Sequence, residues 1–338
     1  MAGTGLNKGF YFDPEVFSDY MQELPKYKNA IILSGIVEND ATIGELIGEK
    51  GNVGTMPFYL PLDTNTYAPR NYDGTGNNTP YALAGGKQSF MVISRMASWS
   101  HDTFTKELTG ANPIQDVANK INGYEQQVRQ GDLMASLGGV LGATGFTNHT
   151  NTISITTGNI TDANKISAES AVETTQLACG DMADRFSLVI MHSAVYARLK
   201  ALQLIDFAKY TDPAGITKEI VLPIWNGMIV SVDDRGTVDT SVTGYPVYTT
   251  IFAGRGLFRG YNRPIENPYY SAYDPLTNGG VDAFYEKQQY VLHPNGFSLD
   301  FSRITTESPT TAELGTTANW SLAFDEKVIP LAAIKTNG

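Results

Sequence analysis

The strongest periodicity in the chain lies between residues 112 and 141. Ile114, Val117, Ile121, Tyr124 and Val128 recur at alternating spacings of three and four, and Leu133, Leu137 and Leu141 carry an apolar face onward with a small phase shift. That spacing is one face of an α-helix. Asn112 as cap, Pro113 at the first helical position and Gln115 in a capping-box place mark its start. Gly138-Gly139 mark fraying or its stop. At 1.5 Å per residue the helix would reach on the order of 40 Å. Gly123 and Gly131 inside it are points of bending or close packing.

Elsewhere strands are predicted. Thr55 to Leu60 and Ser89 to Arg95 form the arms of a long hairpin over 51–97, joined by the polar, glycine-rich stretch DTNTYAPRNYDGTGNNTPYALAGG. A two-stranded ribbon is marginal in water by itself, and long loops in compact domains usually serve a function. The ribbon is therefore expected to lie on a neighbour. Phe186 to Met191, Gly227 to Val232 and Val247 to Ala253 predict buried strands. Helices are predicted from Asp162 to Ala178, stopped by Gly180, and from a cap at Ser193 to about Phe207.

Residues 284–304 return to strand, with His293-Pro294-Asn295-Gly296 as a turn, and Val328 to Leu331 is one more apolar piece. Residues 1–50 predict an extended arm, with a short helix opened by Asp13-Pro14 and faced by Val16, Phe17 and Tyr20. The apolar run from Asn29 to Val37 fits strand or helix equally. The class is α+β.

Length, at 338 residues, allows two or three domains. The charged fraction is 17%, below the usual quarter; with plentiful Gly and with Thr and Asn recurring in the polar segments, the mix favours strands, turns and long connections over a helical bundle. Net charge is -11 with the basic residues scattered, so tight sequence-independent nucleic-acid binding is not expected. The N-terminus lacks a secretory pattern and no apolar stretch approaches the roughly 20 residues of a bilayer crossing. A cytoplasm-like compartment and no membrane partner are expected.

Candidate chemistry does not converge. His101, His149, His192 and His293 form no close metal pair. The lone Cys179 excludes an internal disulfide and is expected as a small buried residue. His192-Ser193 invites a serine-nucleophile reading, but Met191 and Val195 occupy the glycine places of the Gly-x-Ser-x-Gly elbow. The run from Gly254 to Gly260 has one residue too many for a dinucleotide fingerprint. Asp233-Asp234-Arg235-Gly236 with Asp239 lacks the EF-hand spacing. Four Asn-x-Ser/Thr matches, at Asn77, Asn148, Asn159 and Asn319, are expected by chance in an Asn- and Thr-rich chain. No catalytic, cofactor-binding or metal residue is assigned, and a structural role is expected.

Several segments, in order, resemble tailed-phage major capsid proteins with the Hong Kong 97-type fold. Phe12 to Phe17, then KNAIILSGIVEND and GNVGTMPFY, are similar to the family's arm leading into its extended loop. VISRMASWSHDTFTKELTGANPIQDVANKINGYEQQVRQGDLMASLGGVLG resembles the return strand and spine helix. LVIMHSAVYARLKALQLID and NGMIVSVDD resemble parts of the axial domain. QYVLHPNGFSLDF and ANWSLAFDEKVIPLAAI resemble strands returning to the peripheral domain.

The resemblance implies an N-terminal arm over 1–50, an extended β-hairpin loop over 51–97 and a peripheral domain with the spine helix over 98–160. It further implies an axial α/β domain over 161–283 and peripheral return strands over 284–338. It implies a non-enzymatic subunit that forms hexameric and pentameric capsomers of an icosahedral shell around double-stranded DNA. The shell would assemble in the bacterial host cytoplasm and end in the virion, with a portal and a decoration protein as further candidate partners. The arm begins almost at Met1, so a separate scaffolding protein is expected. Lys87 lies near the end of the loop without an identifiable partner for a Lys–Asn link, so assembly is expected to be non-covalent. An encapsulin-like nanocompartment and a hydrolase built on His192 and Ser193 are the rival expectations.

Overall fold

One long helix lies between two sheets in this computed structural model, which describes residues 35–47, 51–64, 66–104, 113–211, 217–277 and 279–338. The predicted Asp13-Pro14 helix, most of the Asn29 to Val37 run and the Asn112 cap lie outside the described residues. The helix, α2 (Pro113–Leu141), has 29 residues, a length of about 43 Å at 1.5 Å per residue. It follows α1 (Ala41–Ile47), a short helix that buries Ile43 and Ile47.

The first sheet has β14 (Val281–Pro294) at its centre. β14 pairs antiparallel with β4 (Ile93–Asp102), β12 (Phe258–Asn262) and β13 (Tyr269–Asp274), and β12 pairs in parallel with β1 (Val37–Asn39). The second, eight-stranded sheet is mixed, with two parallel pairings among antiparallel ones. β5 (Thr150–Thr152), β17 (Leu331–Thr336), β11 (Val247–Gly254), β6 (Phe186–Met191), β9 (Met228–Val232), β8 (Thr217–Trp225) and β7 (Asp206–Thr211) lie side by side, with β10 (Val238–Asp239) on β11. Two smaller pairs complete the set: β2 (Val53–Tyr59) with β3 (Gly85–Met91), and β15 (Phe297–Leu299) with β16 (Trp320–Leu322).

Strands β6 and β11 are largely apolar because both faces of their sheet are covered. Leu188, Ile190, Ile251 and Ala253 face a core shared with Leu133, Leu137 and Val140 of α2 and with Phe258, Tyr290 and Leu292 of the first sheet. Val189, Met191 and Phe252 face the other way. There they meet Ala171, Ala178 and Cys179 of α3 (Ser170–Cys179) and Val195 and Leu199 of α4 (Ser193–Ala201). The rear half of α2 is thus the wedge between the two sheets.

That wedge is fixed by two buried carboxylates. Asp132 accepts from Arg95 Nε at 3.0 Å and Nη2 at 3.1 Å, from the Tyr290 hydroxyl at 2.6 Å and from Thr311 Oγ1 at 2.6 Å. One side chain therefore joins α2 to β4, β14 and α5 (Thr311–Leu314). Burial and the Asp132 charge drive the Tyr290 hydroxyl far above its ordinary pKa, so it remains a donor. Asp233, just beyond β9, accepts from Gln130 of α2, from the Arg235 N–H at 2.9 Å and from the Arg235 guanidinium.

Several expectations are corrected. Gly138 and Gly139 do not end α2, which runs on to Leu141. A Cβ on Gly139 would lie 2.3 Å from the Leu314 carbonyl oxygen, so this glycine serves the close approach of α5. The apolar seam is also uneven: Leu133 and Leu137 are fully buried, whereas Tyr124 is exposed. Side-chain hydrogen bonds of Asn164 to Ser154 and Thr161 hold the start of the 162–178 stretch, and α3 begins only at Ser170. Helix α4 ends at Ala201, and Asp206 and Phe207 open β7. The second hairpin arm is split at Val92, so Ile93 onward belongs to β4. The tail does not return wholly to the first sheet, because β17 joins the eight-stranded one.

Candidate assembly surfaces

None of the suggestive motifs builds a reactive centre. His192 caps α4: its Nδ1 accepts from the Ala194 N–H at 3.1 Å, and its Nε2 lies 3.6 Å from Asp234. The Ser193 N–H donates to Asp234 Oδ1 at 2.8 Å. Burial alone would raise the Asp234 carboxyl, but the Ser193 hydrogen bonds and His192 outweigh it and hold it below the ordinary value. The cap is therefore His192, not the predicted Ser193, and both imidazole nitrogens are engaged away from a nucleophile. Ser193→Ala should cost at most about 1 kcal/mol, while His192→Ala should cost about 1 kcal/mol or more through the lost cap. Urea titration of both variants checks the order.

The other histidines are interior groups. His293 is buried, faces Gln88 Oε1 at 3.3 Å, and is pushed down by burial to about 3. His149 stacks on Phe146 and contacts the Leu331 carbonyl, and burial lowers its pKa. His101 lies 3.9 Å from Asp282. The run from Gly254 to Gly260 joins β11 to β12, a strand rather than the helix a phosphate loop requires. Asp233 and Arg235 bind each other instead of calcium. Cys179 is buried, and burial raises its thiol. Among the described residues no three His, Cys, Asp or Glu side chains could hold a metal, and no helix is long and apolar enough to cross a membrane.

Surfaces are the more informative feature. The β2–β3 ribbon pairs Val53 with Met91 through Tyr59 with Gly85. Two cross-strand pairs set its shape, Gly54 beneath Phe90 and Gly86 beneath Phe58, where a Cβ would meet the ring at 2.3 and 2.5 Å. This is glycine shielded by an aromatic neighbour. The ribbon is anchored along its length: the Ser89 N–H donates to Ser298 Oγ, and Phe58 meets Phe324 edge-on at 4.8 Å.

Beyond Tyr59 the loop packs on itself. Tyr67 meets Tyr81 edge-on, Arg70 lies over the Tyr81 ring at 5.3 Å, and the two tyrosine hydroxyls donate to Ala82 and Ala68 carbonyls. Tyr59, Leu62, Tyr72 and Leu83 face solvent, Tyr72 at 99% exposure. Such clustered exposure is unusual unless a partner covers it.

A second apolar surface was not anticipated from the sequence. Met96, Tyr270 and Tyr285 line an open groove of about 680 Å³ on the first sheet, with Met96 89% exposed. Tyr270 and Tyr285 are cross-strand partners. The one available signal was the two-residue alternation through Tyr269-Tyr270-Ser271-Ala272-Tyr273, which has large side chains on both faces.

Comparison with known proteins agrees with a surface-borne role. No protein-family model matches the chain. It is 27% identical over 324 residues to the major capsid protein of Bacillus phage SPP1, a match covering 95% of each chain. The capsid of Ralstonia phage GP4 is similar with a TM-score of 0.59 and 11% identity, over 99% of this chain and 97% of the other. The capsid asymmetric unit of cyanophage Pam1 gives 0.55 and 10%, over 100% of both chains. The holo-SrpI encapsulin complex of Synechococcus elongatus PCC 7942 gives 0.50 and 9%, over 97% and 96%. The fold is that of the phage capsids, the Hong Kong 97-type fold.

Proposed function

We propose that this chain is the major capsid protein of a tailed bacteriophage, a structural subunit that assembles with copies of itself into the shell around the phage genome. The observation that carries this reading is the similarity to the SPP1 protein over 324 residues, 95% of each chain rather than one shared module.

Hexameric and pentameric capsomers are the assembly we propose, enclosing double-stranded DNA without tight binding, and built with a separate scaffolding protein and a portal. The ribbon and loop over 51–97 are the extended loop, laid over a neighbouring subunit. The self-packed tip with exposed Tyr59, Leu62, Tyr72 and Leu83 supports that role. The first sheet and α2 form the peripheral domain, and the eight-stranded sheet forms the axial domain. On this division 258–283 goes with the peripheral unit and 331–336 with the axial one, which refines the simple chain order. Contact between unlike surfaces of successive copies closes into rings when the rotation permits.

An encapsulin-like shell is the second reading, favoured only by the likeness to the SrpI complex, which is one of fold. Electron microscopy of the protein made with and without its neighbouring genes separates the two. Closed shells, tubes or capsomer rings are the expected result, with DNA inside particles from a full phage background. Shells filled with a cargo enzyme would favour the encapsulin reading, and a stable monomer under every condition would refute both.

A further inference from the structure

Glu286 occupies the middle of β14, opposite Ala97 of β4 and Tyr269 of β13. It is 2% exposed, and its Oε1 atom has no hydrogen-bond partner. An ionised carboxylate so placed is costly. The front half of α2 covers it and brings up a second acid, Glu125, which accepts a hydrogen bond from the Tyr269 hydroxyl.

The nearby cation does little to relieve the pair. Arg129 donates to Gln288 Oε1 at 2.9 Å and to Asn262 Oδ1 at 2.8 Å, and lies over the Tyr290 ring. Tyr124 of α2 meets Trp99 of β4 edge-on; along the strands, His101 faces Asp282 and Arg95 is held by Asp132. Burial first, and then the charge of Glu125, raise the Glu286 carboxyl to about 7, with Arg129 pulling it part of the way back.

The two halves of α2 are held very differently. The rear half carries Asp132, Leu133 and Leu137, all buried. In the front half Asn122, Gly123 and Tyr124 are exposed. We propose that Glu286 and Glu125 form a proton-operated latch that seats the front half of α2 on the first sheet. With a proton on Glu286 the pair carries a single negative charge and the seat is closed. When that proton leaves to solvent, two carboxylates oppose each other in a poorly hydrated place, and the helix front loosens until water reaches Glu286. The latch does not depend on the capsid reading.

The sign follows from linkage. The seated carboxyl titrates above its ordinary value, so its contribution is full below about 4.5 and is lost as pH rises through about 7. Hydrogen exchange by mass spectrometry on the full-length protein tests this, with intrinsic rates corrected for pH. Protection over 120–129 should fall on the order of tenfold between about pH 5.5 and about pH 7.5, while 132–141 stays constant. Glu286→Gln should abolish the difference. Should that variant misfold, Glu125→Gln, at the rim of the pair, should shrink it. Protection over 120–129 as flat with pH as over 132–141 would overturn the latch, as would an unchanged drop in either folded variant.

Discussion

Asp132→Ala lowers the stability of the subunit by about 3 kcal/mol. Removing one partner of a buried ion pair costs about 3–5 kcal/mol, because the other charge is left without compensation. The low end applies here because the Arg95 side chain keeps 20% of its surface in water. The loss is not only electrostatic. Tyr290 and Thr311 also lose their acceptor, so α2 is released from β14 and α5 together. Asp132→Asn retains the shape and an acceptor oxygen and should fall between wild type and alanine. Urea unfolding of the three proteins measures this. An alanine variant within about 0.5 kcal/mol of wild type, the range of an ordinary surface change, would show that the Asp132 cluster does not hold the wedge.

The second large effect is on assembly rather than folding. Replacing 63–82 by a short Gly–Ser turn should leave a folded subunit that no longer forms closed shells. The splice is favourable because the Leu60 N–H donates to the Ala84 carbonyl and brings the two ends of the loop together. The aromatic contacts removed are internal to the loop, so subunit stability should stay within about 0.5 kcal/mol. What disappears is the exposed pair of Tyr72 and Tyr81. Thermal melting and electron microscopy read the two halves of the prediction separately. Normal shells would refute the role proposed for the loop, and an unfolded subunit would show that the tip is part of the core.

What the sequence disclosed tracks the range of the interactions involved. Helix α2 was legible because its apolar spacing is local, and β6, β9 and β11 because strands buried on both faces are rich in apolar residues. The β7–β8 hairpin was missed: Leu202 to Phe207 continued the apolar character of α4, and periodicity gave no reason to break it. The cap at His192 escaped notice because serine is the commoner capping residue. The Asp132 cluster was invisible for another reason. Its partners lie 37, 158 and 179 residues away, and no local pattern announces them. The groove at Met96, Tyr270 and Tyr285 likewise draws on three strands. The resemblance to capsid proteins rested on segment order and survived these local errors.

The position of β17 has a consequence for synthesis. Ala332, Ala333 and Ile334 are wholly buried between β5 and β11, yet they follow β5 by about 180 residues. Pairing across such a span is slow, since the loop-closure entropy must be met before contact is rewarded. Until residue 336 has left the ribosome, the nascent chain presents the bare edges of β5 and β11. Unpaired edges of this kind are the usual template for aggregation. A chain released early would carry the same open edges permanently, so premature termination should yield material for chaperones and proteases rather than a defective building block.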